Sequence, residues 1–220
     1  MPYRKDILAT DCLYHVFNRS IAEFKIFRNK FDYRRFLEAA TYYQIDNPPI
    51  KLSVYKKSPK KYKLPKEDQL IKIIAYCLMP THFHFILCQS KNLGISIFIN
   101  RLLNSYTHYF NNKYHRKGPL WEGRFKTVII RNEEQLLHLT RYLHLNPVTD
   151  HLVEKPEQWQ FSSYQEYVRN KENICSFKKF LDIKPREYTK FILARKDYQR
   201  KLARIKDLLL ERNSFPAAQI

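Results

Sequence analysis

The 220-residue chain predicts an α+β fold, a ferredoxin-like antiparallel sheet with helices packed on one face, followed by a basic, helical C-terminal extension. Three observations carry that expectation. Strand-like apolar runs and amphipathic stretches follow one another in the order β-α-β-β-α-β-α. Two of the strands are separated only by a turn at Pro80. From residue 171 onward, apolar residues recur at helical spacing among cations.

Cys12 to Asn18 reads as the first strand and Lys30 to Gln44 as the first helix. A loop follows, with Pro49, Pro59, Pro65 and six lysines between Lys56 and Lys66. Ile71 to Leu78 is the second strand, and it turns at Pro80 into a third, placed centrally by the predicted topology. Ile95 to Tyr114 is amphipathic, and Arg124 to Arg131 is the fourth strand. Asn132 through Leu145 reads as a helix, with Asn132 as N-cap, Glu133 and Glu134 in its first turn, and Leu136, Leu139 and Leu143 at helical spacing. Pro147 is expected to end it, because the residue before a proline is disfavoured in the α conformation. Beyond Asp150, Pro156 and Trp159 to Tyr167 look like a strap over the core. The division expected is 1–168 for the main domain and 169–220 for the extension. Thirteen Lys plus Arg against six Asp plus Glu give residues 171–220 a charge of +7. Tyr188, Phe191, Ile192, Tyr198, Leu202, Ile205 and Leu209 then form a helix face that docks on the core or on nucleic acid.

Composition narrows the function. No apolar run approaches the ~18 residues that cross a bilayer, and no signal segment follows Met1-Pro2-Tyr3-Arg4. Cys12, Cys77, Cys88 and Cys175 lack metal-ligand spacing and read as buried thiols in a reducing cytoplasm. Only three glycines, none in a phosphate-cradling pattern, argue against a nucleotide loop. A net charge of +19 predicts a polyanionic partner, although soluble, ribosome-associated and membrane-surface proteins share that bias. Sixteen tyrosines and fifteen phenylalanines add rings on which unpaired bases could stack, as well as material for a core.

The chemistry concentrates in two stretches. In Met79-Pro80-Thr81-His82-Phe83-His84-Phe85-Ile86-Leu87, strand alternation turns His82 and His84 to one face and the phenylalanines to the other. Two neighbouring imidazoles are suited to grip one divalent metal. In Arg141-Tyr142-Leu143-His144-Leu145-Asn146-Pro147, Tyr142 and Asn146 are four apart and share a helix face, presenting a phenol and an amide oxygen. The plainer alternative makes Tyr142 a core residue and Asn146 a C-terminal cap.

Together with Tyr14-His15-Val16-Phe17-Asn18-Arg19, Ala75-Tyr76-Cys77-Leu78, Gly118-Pro119-Leu120-Trp121-Glu122-Gly123-Arg124-Phe125-Lys126 and Trp159-Gln160-Phe161-Ser162-Ser163-Tyr164, these stretches resemble the single-tyrosine transposases of the HUH endonuclease superfamily, and within it the REP-associated tyrosine transposases. The likeness runs in the family's order over roughly residues 12 to 168. Ser20 stands where that family usually carries glycine. The resemblance implies the ferredoxin-like architecture, metal ligation by His82, His84 and Asn146, and Tyr142 as nucleophile. It implies a prokaryotic, nucleoid-associated cytoplasmic enzyme acting on single-stranded DNA folded as a hairpin or palindrome, as monomer or homodimer. The mixed nitrogen and oxygen donors suit Mg²⁺ or Mn²⁺, and the imidazoles would also tolerate Zn²⁺, Co²⁺ or Ni²⁺. A free phenol has a pKa of about 10, so its deprotonation needs help. His138, one turn before Tyr142, is a candidate helper, while His15, His108, His115, His144 and His151 receive no role. Arg19, Arg101, Arg124 and Lys126 are candidate phosphate contacts, with Tyr106, Tyr109 and Trp121 as base-stacking rings.

Three other readings compete. A rolling-circle initiator or relaxase shares the histidine pair, a non-catalytic nucleic-acid-binding protein would use those histidines structurally, and a metal-dependent hydrolase would attack with water.

Overall fold

The computed structural model describes residues 8–57 and 68–194. Four antiparallel strands form one sheet: β1 (Leu13–Arg19), β2 (Ile71–Met79), β3 (His82–Gln89) and β4 (Lys126–Ile130). Their order, β2-β3-β1-β4, puts β3 and β1 in the centre. That is the order a split β-α-β pair requires, and it meets the ferredoxin-like expectation.

Helices α1 (Lys30–Tyr43) and α3 (Gly94–Lys113) supply the crossovers and pack on one face. The Phe36 ring lies 5.3 Å from Phe83, and Phe98 lies 6.1 Å from Phe85, so the outward phenylalanines of the histidine strand build this core. A capping box starts α1, with the Asn29 side chain accepting from the backbone of Phe31 and Asp32. At the start of α3, a Cβ on Gly94 would lie 2.2 Å from the Leu70 carbonyl oxygen, so only glycine admits that approach. A short helix, α2 (Leu52–Lys57), occupies the start of the expected lysine-rich loop.

The fourth helix, α4 (Glu133–Thr149), crosses the other face and packs against β2. Asn132 caps it by accepting from the Gln135 N–H, as expected. Pro147 does not end it. The helix runs through the proline, at the expense of the bond that a residue-147 N–H would give the Leu143 carbonyl, and ends on bonds from the Asp150 N–H to the Asn146 and Val148 carbonyls. The local penalty of proline is outweighed by burial of nearly every residue from Leu139 to Thr149.

The strap is present and closes the β2 edge. Leu78 N–H donates to the Phe161 carbonyl at 2.9 Å, Ser163 N–H to Tyr76 at 3.0 Å, and Ser176 N–H to Ile73 at 2.8 Å. The edge strand is thereby shielded from pairing with other chains. After α5 (Tyr164–Val168), the chain continues to α6 (Pro185–Leu193), whose Tyr188 and Ile192 are fully buried. The described part of the extension therefore shares the core, while Tyr198, Leu202, Ile205 and Leu209 lie outside the described residues. No helix among the described residues is long and apolar enough to cross a membrane.

Candidate active site

The register of the sheet assembles the site. Phe17 of β1 pairs with His84 on one side and Lys126 on the other, and Arg19 pairs with His82. Directly paired residues in antiparallel strands point to the same face. His82, His84, Arg19 and Lys126 therefore share the face that α4 crosses. The His82 and His84 rings stand 5.0 Å apart at 88°. Thr81 Oγ1 lies 3.0 Å from His82 Nδ1.

Tyr142, on α4, sets its ring edge-on to His84 with 5.7 Å between centroids. Asn146 follows one turn later and is fully buried. Neither its Oδ1 nor its Nδ2 has a hydrogen-bond partner among the described residues. Its side chain is thus no helix cap; the C-cap is Asp150. Such an unsatisfied buried amide costs about 1–3 kcal/mol unless a guest completes it.

His15 belongs to this cluster, although its strand position alone predicts no role for it. Its Nε2 lies 3.0 Å from His84 Nδ1, its ring stacks on Phe17 at 4.9 Å, and the Tyr142 ring meets it edge-on at 6.4 Å. Burial pulls its pKa down to about 3, so the ring is neutral at ordinary pH. The signal for it was present in the strand: His15 and Phe17 share a face by alternation. What was missing was the register that sets that face beside His84.

His144, likewise without a predicted role, is structural. It faces away from the cluster and is fully buried, with Nδ1 2.6 Å from Tyr188 Oη and Nε2 2.7 Å from Ser163 Oγ. Desolvation lowers its pKa to about 3 as well. It bonds the back of the tyrosine helix to α6 and to the strap. His138, the candidate helper, is turned to α6: its Nδ1 is 2.7 Å from Arg141 Nη2 and its ring 5.6 Å from Phe191.

Among the candidate DNA contacts, Arg19, Arg124 and Lys126 line one cleft with Phe17, Asn18, Glu122 and Gly123. Arg19 is also within 3.8 Å of Glu122, an exposed and therefore weak pair. Arg101 does not join them; its guanidinium donates to the Ile45 and Asp46 carbonyls and braces the loop after α1. Trp121 also lies apart from that cleft. Its Nε1–H donates to Thr107 Oγ1 at 3.0 Å and its ring packs 5.5 Å from Phe83, so the half-buried indole serves the core on the opposite face. Tyr106 is buried with its hydroxyl on the Ile26 carbonyl, and Tyr109 donates to Asp32. Ser20 has an extended backbone with φ of −71°, and its hydroxyl donates to the Phe24 carbonyl, so no glycine is needed there.

Known proteins resemble this chain in sequence and in fold. A family model described as "Transposase IS200 like" matches residues 9–146. A Haemophilus influenzae protein assigned as a REP-associated tyrosine transposase is 26% identical over 118 residues, covering 49% of this chain and 67% of its own. The REP-associated tyrosine transposase of Escherichia coli is 28% identical over 106 residues, covering 47% of this chain and 60% of its own. The structure of a REP-associated tyrosine transposase bound to a REP hairpin superposes with a TM-score of 0.54 at 18% identity, over 83% of this chain and 94% of that one, a likeness of fold. With more than half its length matched by the family model, the chain belongs to the IS200-like transposase family.

Proposed function

We propose that the protein is a metal-dependent endonuclease and strand transferase that cleaves single-stranded DNA at hairpin or palindromic elements through a 5′-phosphotyrosine on Tyr142. The observation that carries this reading is the Tyr142 ring held edge-on to His84, 5.7 Å away, on a sheet face that also bears His82. A phenol beside an imidazole pair has no structural need of both histidines, whereas phosphoryl transfer uses all three groups.

His82, His84 and Asn146 would hold the ion. Two imidazoles and an amide oxygen are neutral donors that suit Mg²⁺ or Mn²⁺, and an ion would give the buried Asn146 Oδ1 the partner it lacks. When bound, a divalent cation supplies charge neutralisation and orientation of the scissile phosphate. Tyr142 Oη then forms the new bond to phosphorus as the bond to the 3′-oxygen breaks, leaving a free 3′-hydroxyl. The phosphodiester energy is kept in the covalent linkage, so another 3′-hydroxyl can reverse the step and join strands. Arg19, Arg124 and Lys126, beside the histidines, would hold flanking phosphates. A structural relative solved with a REP hairpin supports a hairpin substrate. Tyr142 and both histidines come from one chain, which supports a monomer as the competent unit.

Incubation of the full chain with a labelled hairpin bearing single-stranded flanks and Mn²⁺ should give a protein–DNA band that survives denaturation. Chelation or Tyr142→Phe should remove the band while native binding persists. Cleavage with no covalent band in wild type would instead identify a water-using hydrolase, and binding without cleavage a non-catalytic DNA-binding protein.

A further inference from the structure

We propose that Arg28, Arg35, Lys113 and Arg116 form a second DNA surface, on the sheet face opposite the histidines, that holds the backbone of a paired hairpin stem. The inference rests on the hairpin reading above and names where the uncut part of that substrate lies.

The residues form one ladder across the seam between α1 and α3. The Arg116 guanidinium lies 5.5 Å from the centre of the Phe24 ring, and that of Arg28 lies 4.8 Å from the same ring. Arg28 is also 4.4 Å from the Tyr114 ring, and Lys113 Nζ is 5.1 Å from Tyr114 and 5.3 Å from Tyr109. Arg35 closes the row at 5.5 Å from Tyr109, with Nη2 3.3 Å from Ser105 Oγ. Arg116 is fixed further by Asn111 Oδ1 and the Gly118 carbonyl, each 3.3 Å from its Nη1. Both helices pack against the phenylalanines of β3, so the ladder stands behind the sheet as seen from Tyr142.

The charge of this row is uncompensated. Asp32, the carboxylate within it, is fully buried and paired with Lys113. Among the described residues no carboxylate pairs with Arg28, Arg35 or Arg116. A guanidinium stacked on a ring is held in place, and its N–H edges stay available to an anion's oxygens. The rings are covered by these cations, which makes them poor platforms for unpaired bases. The backbone of paired DNA asks only for charge and donors, so it fits the row better.

Two chain segments join the ladder to the cleft of Arg19 and Arg124. Ser20 is bridged to Trp121, and the Ile21 N–H donates to the Leu120 carbonyl at 3.1 Å, so the segments on either side of the cleft run on together. Nine residues separate Arg19 from Arg28, which keeps the two within about 30 Å of each other. At about 3.4 Å per base pair, a stem of about twelve pairs covers that distance, and one of about four covers less than half of it.

The test measures binding of the full chain to two labelled hairpins by fluorescence anisotropy. They carry identical single-stranded flanks and stems of about four and about twelve base pairs. Wild type should bind the longer stem about tenfold more tightly. In Arg28→Ala/Arg116→Ala that ratio should fall below about two, and the salt slope for the longer stem should drop by about two. An unchanged ratio would overturn the proposal. Equal weakening for both hairpins would also overturn it, since it would mean general attraction to a basic surface. Losing both guanidiniums loosens the ring stack, so a second arm leaves the protein intact. Uncharged methylphosphonates in the outer part of the longer stem should cost wild type about tenfold in affinity, and no loss would overturn the proposal. If wild type keeps the ratio but forms no covalent band, the cleavage reading fails and this surface stands. If the band forms and the variant keeps the ratio, this surface alone fails.

Discussion

His144 Nδ1 lies 2.6 Å from Tyr188 Oη, so the helix that carries Tyr142 is bonded from behind to α6, well beyond the segment matched by the family model. Tyr188→Phe removes the hydroxyl and leaves one nitrogen of a buried imidazole unsatisfied. The expected loss is about 1–3 kcal/mol of stability, read as a lower urea midpoint at unchanged m-value. An unchanged midpoint would mean that α6 contributes only its apolar contacts.

Asp32 and Lys113 set a pH window. Burial alone would raise the Asp32 pKa, but bonds from Lys113, Tyr114, Tyr109 and the Arg28 N–H outweigh it and hold the carboxyl below its ordinary 3.8. Lys113 is partly desolvated, which lowers its pKa, yet Asp32 and the two phenols raise it above 10.5. A depressed carboxylate stabilises above its unfolded pKa and loses that contribution as pH falls through the folded value. A raised lysine stabilises below its unfolded pKa and loses it as pH rises through the folded value. The pair should therefore contribute fully between about pH 4 and pH 10. Asp32→Asn should cost roughly 2–4 kcal/mol within that window, discounted for the partial exposure of Lys113, and less below pH 3. Urea midpoints measured from pH 3 to pH 9 check this.

Much of this was readable in the chain. All four strands, both crossover helices and the strap lie within a few residues of their expected places, because alternation, capping residues and Pro80 are local signals. Pro147 misled because its cost is local while the burial that overrides it is tertiary. Within the site, the shared face of His82 and His84 follows from the period of a strand. The placement of His15 depends on pairing between strands far apart in sequence, and that of His144 on a helix some forty residues later. Arg101 and Trp121 show the converse limit: a cation or indole in a likely stretch points wherever packing sends it, here to loop carbonyls and to the core.

Lys126 lies in the cleft with Arg19 and Arg124 and across β1 from the histidine row. Lys126→Ala should weaken binding to hairpins of different sequence to a similar extent. It should also lower the slope of log K against log salt by about one. Filter binding at several salt concentrations measures both; a change confined to one sequence would indicate base reading instead.

Asn146→Ala removes a buried amide that bonds to nothing among the described residues, so it should leave DNA affinity intact. The Mn²⁺ midpoint for cleavage should rise about tenfold or more, and high Mn²⁺ should recover part of the rate. A rate titration against metal decides; an unchanged midpoint would strike Asn146 from the ligand set.

The central claim is that Tyr142 becomes bonded to DNA. The covalent complex formed with a hairpin oligonucleotide and Mn²⁺ can be trimmed with nuclease, digested and sequenced by mass spectrometry. The mass of a nucleotide 5′-phosphate should then fall on Tyr142, in the peptide that contains Tyr142-Leu143-His144-Leu145-Asn146-Pro147. A modification on any other of the sixteen tyrosines, or an adduct still formed by Tyr142→Phe, would contradict the account.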